Sequence, residues 1–184
     1  MGELTVTFRL SERDQRRLRG MIRKVTSAAS GQREAEVILA AERVAMHARL
    51  AKPPEYVLER LAKLDQLTAL LMDRGWPLPA AVRRTAIAGL AYLADPQDLI
   101  PDSVPGLGFL DDAIVIELVM RDLEDELRGY QEFRRYREAQ WQKLGYPQSR
   151  ELRETQLARK RDAIRARIQA KRAREKRARG KGAV

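Results

Sequence analysis

The chain has 184 residues, no cysteine, and 36 Lys and Arg against 26 Asp and Glu, a formal net charge of +10. That length holds one domain and an extension, and the missing cysteine excludes disulfides, thiolate metal sites and cysteine nucleophiles. No apolar run approaches the ~20 residues that span a bilayer. The opening MGELTVTFRLSERD lacks a secretory pattern and, with Val6 at the sixth position, a myristoylation pattern; a cytoplasmic protein without a transmembrane span is expected.

Leu4–Leu10 alternates apolar and polar residues, the period of a half-buried strand. Ser11 then caps a helix to about Ala29, with Asp14 in a capping-box position. A second helix is expected over about Arg33–Leu50, burying Val37, Ile38, Ala41, Val44 and Ala45. Pro53-Pro54 separates it from a third, about Glu55–Asp73, with Val57, Leu61, Leu64 and Leu71 at helical spacing. Gly75-Trp76-Pro77-Leu78-Pro79 reads as a turn before a fourth helix, about Ala80–Leu93. There Ala86, Ala88, Gly89 and Ala91 allow another backbone to come close. Ala113–Met120 is apolar almost all round, as in a buried helix, and the same helix turns amphipathic through Leu123, Leu127 and Tyr130 towards Trp141. Gly145-Tyr146-Pro147 marks a boundary, and Ser149–Arg179 has helix-forming composition with a thin apolar stripe of Leu157, Ile164 and Ile168.

The segment Ala94–Asp112, ADPQDLIPDSVPGLGFLDD, stands between the two apolar helices. Its prolines, glycines and five aspartates are mixed with Leu99, Ile100, Val104, Leu107, Phe109 and Leu110, all of which gain by leaving water. It reads as a structured, partly buried corner. Asp95-Pro96-x-Asp98 has an acid, a proline and a second acid in the order that starts a helical turn. Asp111-Asp112 stands where the next helix begins and complements its dipole. A competing reading assigns Asp95, Asp98, Asp102, Asp111 and Asp112 to a divalent cation or to acid–base work, with Asp98, Asp102 and Asp112 as the first choice. Against it, the spacing is not that of an EF-hand loop, and Asp111 and Asp112 project about 100° apart. Capping and packing are favoured.

Tyr92-Leu93-Ala94-Asp95-Pro96-Gln97-Asp98-Leu99-Ile100-Pro101-Asp102, with Pro105, Gly106, Gly108 and Asp111-Asp112, resembles the signature of the YkvA-like family. This is a bacterial domain of unknown function with a proline- and aspartate-rich run between two hydrophobic helices. The resemblance covers Ile87–Val119 and implies Asp95, Pro96, Asp98, Pro101, Asp102, Gly108, Asp111 and Asp112 as motif residues. It implies no activity, cofactor or metal, since the family has no established activity. Many relatives have more strongly apolar helices and are suspected of membrane association. Here Arg83-Arg84, Glu117, Arg121 and Asp122 interrupt them.

Other chemistry is thin. His47 is the only histidine, with Arg43 and Ala51 four residues either side, so neither a histidine metal site nor a triad is supported. No phosphate-cradling loop or dinucleotide fingerprint is present.

Charge is unevenly placed. Residues 150–184 hold 14 of the basic and 4 of the acidic residues, leaving 22 of each in the rest of the chain. Arg159, Lys160, Arg161, Arg165, Arg167, Lys171, Arg172, Arg174, Lys176, Arg177 and Arg179 would ring a helix with positive charge. A polyanion would relieve their repulsion and release counterions. With no aromatic residue after Tyr146, contact with RNA or DNA would be phosphate-led and indifferent to sequence. Leu157, Ile164 and Ile168 make too narrow a face for lipid burial, so a nucleic-acid backbone is preferred to a membrane surface. The competing outcome is a solvated tail, or one folded back on the acidic 95–132 region. Separately, TVTFRLSERDQRRLR resembles the opening of ribbon-helix-helix DNA binders. That resemblance implies base reading by Thr5, Thr7 and Arg9, or a homodimer joined through the strand.

The expected fold is mainly α. It is a helical bundle with a short N-terminal strand, a central helix–corner–helix hairpin and a basic C-terminal helical extension. Residues 1–78 and 79–145 pack as one domain, followed by a tail at 146–184, helical or disordered. The expected role is a non-enzymatic binding or adaptor protein whose tail engages an anionic partner. A peripheral membrane-associated factor is the alternative, and a carboxylate metal-dependent enzyme the third.

Overall fold

The computed structural model describes residue 9 and residues 11–28, 33–52, 55–95, 110–143 and 150–181. Among these the regular structure is entirely helical: α1 (Glu12–Ala28), α2 (Glu34–Leu50), α3 (Glu55–Met72), α4 (Ala80–Leu93), α5 (Leu110–Asp122), α6 (Glu124–Lys143) and α7 (Arg150–Lys181). The mainly helical expectation holds. The expected strand Leu4–Leu10, and the dimer and base-reading roles drawn from it, lie outside the described residues except for Arg9, which is in no regular element. The strand therefore has no support.

The chain forms two compact units, residues 1–68 with 79–122, and residues 69–78 with 123–184. In the first, α4 is the hub against which α1, α2 and α5 pack. The small residues of α4 permit this: Ala86 and Leu90 are fully buried, and Gly89 lies so close to α5 that a Cβ there would stand 2.6 Å from Val119 Cγ2. α2 contributes Val37, Ile38, Ala41, Ala45 and Ala48, and α3 contributes Val57, Leu61, Leu64 and Leu67. Ser11 and Asp14 form the expected capping box: the Ser11 amide donates to Asp14 at 3.1 Å and the Asp14 amide to the Ser11 hydroxyl at 3.2 Å.

Three of the charged residues that interrupt the apolar helices, Arg83, Glu117 and Asp122, are ion-pair partners. Arg83 of α4 donates to Glu34 of α2 at 2.7 Å, Lys63 of α3 to Glu117 of α5 at 2.5 Å, and Arg19 of α1 to Asp122 of α5 at 2.7 Å. Such surface pairs are individually worth about 0–1 kcal/mol, so they fix register more than they hold the unit together.

One helix was expected from Ala113 to about Trp141. It is interrupted at Leu123, giving α5 and α6. Glu124, Asp125 and Glu126 crowd the first turn of α6, where acids complement a helix N-terminus and so favour a fresh start. In the second unit α6 packs on α7 around Trp76, Leu127, Tyr130, Phe133, Ile164 and Ile168.

Candidate functional site

Of the motif residues expected to share a site, Pro96, Asp98, Pro101, Asp102 and Gly108 lie outside the described residues, as does the side chain of Asp111. Asp95 follows the end of α4, its amide donating to the Tyr92 carbonyl at 3.1 Å. Asp112 sits in the first turn of α5 and is 8 % exposed. It lines a cavity of about 10 Å³ with Arg60 and otherwise mainly apolar side chains, among them Ala45, Leu61, Leu93 and Ile116. That space admits one water at most. Among the described residues no three His, Cys, Asp or Glu side chains converge as metal ligands would.

The basic tail is helical from Arg150 to Lys181. An isolated helix of this charge is marginal, but α7 is bound along α6 by a sequence of ion pairs. Lys160 lies 2.9 Å from Glu132, which Arg167 also contacts. Arg165 lies 3.2 Å from Glu126, Lys171 2.5 Å from Asp125, and Arg172 3.8 Å from Glu126. Hydrogen bonds from Lys160 and Arg167 hold the Glu132 carboxyl below its ordinary range. The bond to Asp125 raises the Lys171 ammonium. Of the two tail outcomes weighed, folding back on acids describes this stretch, with the acids drawn from α6.

Beneath these pairs lies a buried anchor. Glu126 is 1 % exposed and accepts a 2.9 Å hydrogen bond from the Trp76 indole, itself 0 % exposed. The Arg165 guanidinium stands 4.6 Å over the Trp76 ring and also donates to the Pro77 carbonyl. Gly129 opens room for Ile164 and Ile168, which lie 3.0 and 2.7 Å from where its Cβ would be. Trp76, Glu126 and Gly129 were not singled out by sequence reasoning. The readable signal was the seven-residue spacing of Asp125 and Glu132, which puts two acids on one face of α6 with Gly129 between them.

α7 continues beyond the start of α6. Residues 173–178 are exposed, and Arg174, Lys176 and Arg177, like Arg159 farther back, pair with no acid among the described residues. Arg161 contacts its neighbour Asp162, and the Arg179 side chain is not described. Of the tail cations, Lys160, Arg165, Arg167, Lys171 and Arg172 pair with α6, while Arg174, Lys176 and Arg177 pair with no acid among the described residues towards the C-terminal end of α7. On α1, Arg13, Arg16 and Arg17 are exposed as well.

Residues 82–118, the α4–corner–α5 segment, match a family described as "Protein of unknown function (DUF1232)". A stretch of 47 residues, 26% of this chain, is 43% identical to the "Uncharacterized membrane protein YkvA" of Bacillus subtilis (strain 168). The segment is YkvA-like. The match covers 44% of that relative's length, so the chain spans less than half of it. No solved structure matches the chain. The YkvA-like segment includes the proline–aspartate corner and Gly89, whereas Val119, α6 and α7 lie outside the family match. No helix among the described residues is long and apolar enough to cross a membrane.

Proposed function

We propose that this chain is a non-enzymatic binding or adaptor protein whose α7 engages the phosphate backbone of a nucleic acid. The observation that carries the reading is the free end of α7, where Arg174, Lys176 and Arg177 are exposed and lack acidic partners among the described residues. Like charges held one turn apart on a rigid helix repel, and a polyanion relieves that repulsion while releasing its own counterions. The helix brings no aromatic platform, so it distinguishes anions by charge density and not by base identity. The test is binding of a labelled oligonucleotide across a salt series, with Arg174→Ala/Lys176→Ala/Arg177→Ala beside the unaltered chain. Loss of three phosphate contacts flattens the log–log salt slope by about 2 and weakens binding. A triple variant with unaltered slope and affinity overturns the reading.

A second reading, peripheral attachment to a membrane surface, is favoured by a separate observation. Leu39, Met46 and Leu50 of α2 are 48%, 51% and 73% exposed. At spacings of seven and four residues they share one helix face, with Arg43 between them. The Bacillus subtilis relative is named a membrane protein. Sedimentation with anionic vesicles that is abolished by Leu39→Ser/Met46→Ser/Leu50→Ser and unaffected by the α7 triple variant would install this reading in place of the first.

A further inference from the structure

An open groove of about 730 Å³ runs between α6 and α7. Arg128 and Arg135 line it from α6, Arg167 and Lys171 from α7, together with the carboxylates of Asp125 and Glu132. The two acids are already engaged: Asp125 lies 2.5 Å from Lys171 and 3.8 Å from Arg128, and Glu132 contacts Arg167 and Lys160. Arg135, by contrast, reaches among the described residues only the Gln131 carbonyl of its own helix, at 3.4 Å, which neutralises no charge. Arg128 has a nearer acid in Glu124, at 2.8 Å, so Arg135 is the lining cation that meets no carboxylate among the described residues and gives the groove its spare positive charge.

We infer that this groove is a second stretch of the phosphate-binding surface, in which Asp125 and Glu132 are intramolecular stand-ins for the phosphates of an extended single strand. The inference rests on the reading of α7 as the nucleic-acid contact and adds the strand class and its regulation. Helices packed about 8–10 Å apart leave no room for a duplex between them, whereas an extended strand can lie along the seam. Arg167 and Lys171 are one turn apart, about 5–6 Å between Cβ atoms, close to the phosphate spacing of such a strand. Displacing the acids costs about 1 kcal/mol per pair, since the cations Lys171 (48%) and Arg167 (65%) are exposed while Asp125 (18%) and Glu132 (33%) are only partly buried. A strand captured by the free end of α7 can therefore extend into the groove as each phosphate replaces a carboxylate. The lowered Glu132 carboxyl and the raised Lys171 ammonium keep both pairs ionised at neutral pH, so an entering strand must displace the two acids.

The experiment measures binding of a fluorescein-labelled oligothymidylate to the full chain across a salt series. It compares the unaltered protein with Asp125→Asn/Glu132→Gln. The control, Glu42→Gln/Glu138→Gln, removes the same charge from exposed acids that pair with nothing among the described residues. Freeing Lys160, Arg167 and Lys171 steepens the salt slope by about 2 and tightens binding, while the control stays near the unaltered protein. Arg135→Ala, an exposed position that tests the groove without touching the ion pairs, lowers the slope by about 1. The groove assignment is overturned if the double variant and its control shift alike, or if Arg135→Ala leaves slope and affinity unchanged while the unaltered chain binds. Absence of binding by every protein at low salt instead removes the parent reading of α7.

Discussion

Trp76 donates its indole N–H to the Glu126 carboxylate at 2.9 Å, and neither side chain reaches solvent. The carboxylate also faces Arg165, whose guanidinium covers the indole ring. One buried acid thus joins the turn after α3 to α6 and α7 by a hydrogen bond, an ion pair and a cation–π contact. This explains how a helix with so much positive charge stays ordered along its inner half. Its repulsion is answered by a fixed carboxylate, and Ile164 and Ile168 supply apolar contact beneath.

Removing that acid should cost far more than removing a surface acid of α6. Glu126→Ala leaves the Trp76 N–H without its acceptor and the partly buried Arg165 without its carboxylate, a loss of about 3–5 kcal/mol. Trp76→Phe removes one donor and keeps most of the ring, at about 1–3 kcal/mol. Glu132→Gln, at a more exposed pair, should cost about 1 kcal/mol or less. Urea unfolding of the three variants checks the order; equal effects for Glu126→Ala and Glu132→Gln would mean that the buried carboxylate is no anchor.

A second carboxylate governs acid stability. Burial pushes the Asp73 carboxyl up, but hydrogen bonds from Arg137, the Gly75 amide and Tyr130 outweigh it, and the net result lies below the ordinary range. A carboxyl depressed by folding stabilises above its unfolded pKa, about 4. That stabilisation disappears as pH falls through the lower folded value. Asp73→Asn should therefore melt below the unaltered chain at neutral pH, and the gap should narrow as pH drops from about 4. A gap constant from pH 7 to pH 3 would show that Asp73 acts by shape alone. Tyr130, raised by burial and by Asp73, stays protonated throughout this window.

The helices were legible because their signals are local. Pro53-Pro54 and Gly75-Trp76-Pro77 separate apolar stripes whose period is helical, and Ser11 and Asp14 sit three apart as a capping box requires. α4 could be recognised as a close-packing helix from its small residues alone. The break at Leu123 was less visible: apolar spacing continues through it, and only the acidic triplet that follows announces a new N-terminus. The basic segment read correctly as helical in composition, but what orders it could not be read. Glu126 meets Trp76 across 50 positions and Arg165 across 39, and no local pattern encodes such a pairing. Asp111-Asp112 was legible as the start of a helix, α5, whereas the turn expected at Asp95-Pro96-x-Asp98 lies beyond Asp95 outside the described residues; Asp112 lines a mostly apolar pocket beside Arg60.

The two buried glycines of the helical interfaces should respond differently to the same methyl group. At Gly89 an added Cβ meets Val119 Cγ2 at 2.6 Å, Cγ1 at 3.1 Å and Cβ at 3.3 Å. Val119 is β-branched with one strongly preferred helical rotamer, so it has nowhere to turn. Overpacking of this kind costs about 1–3 kcal/mol, and the gain of about 1 kcal/mol from replacing a helical glycine by alanine only partly offsets it. At Gly129 the nearest atom, 2.7 Å away, is Ile168 Cδ1, the free end of a flexible side chain, with Ile164 Cγ2 at 3.0 Å. Swinging that terminal methyl relieves most of the clash, and the helix gain then brings the change close to zero. Gly89→Ala should therefore lower stability by up to about 2 kcal/mol, and Gly129→Ala should leave it nearly unchanged. Denaturant unfolding of the full chain decides between them. A larger loss for Gly129→Ala would mean that Ile168 is held rigidly, and that the α6–α7 seam is as tightly packed as the contact of α4 with α5.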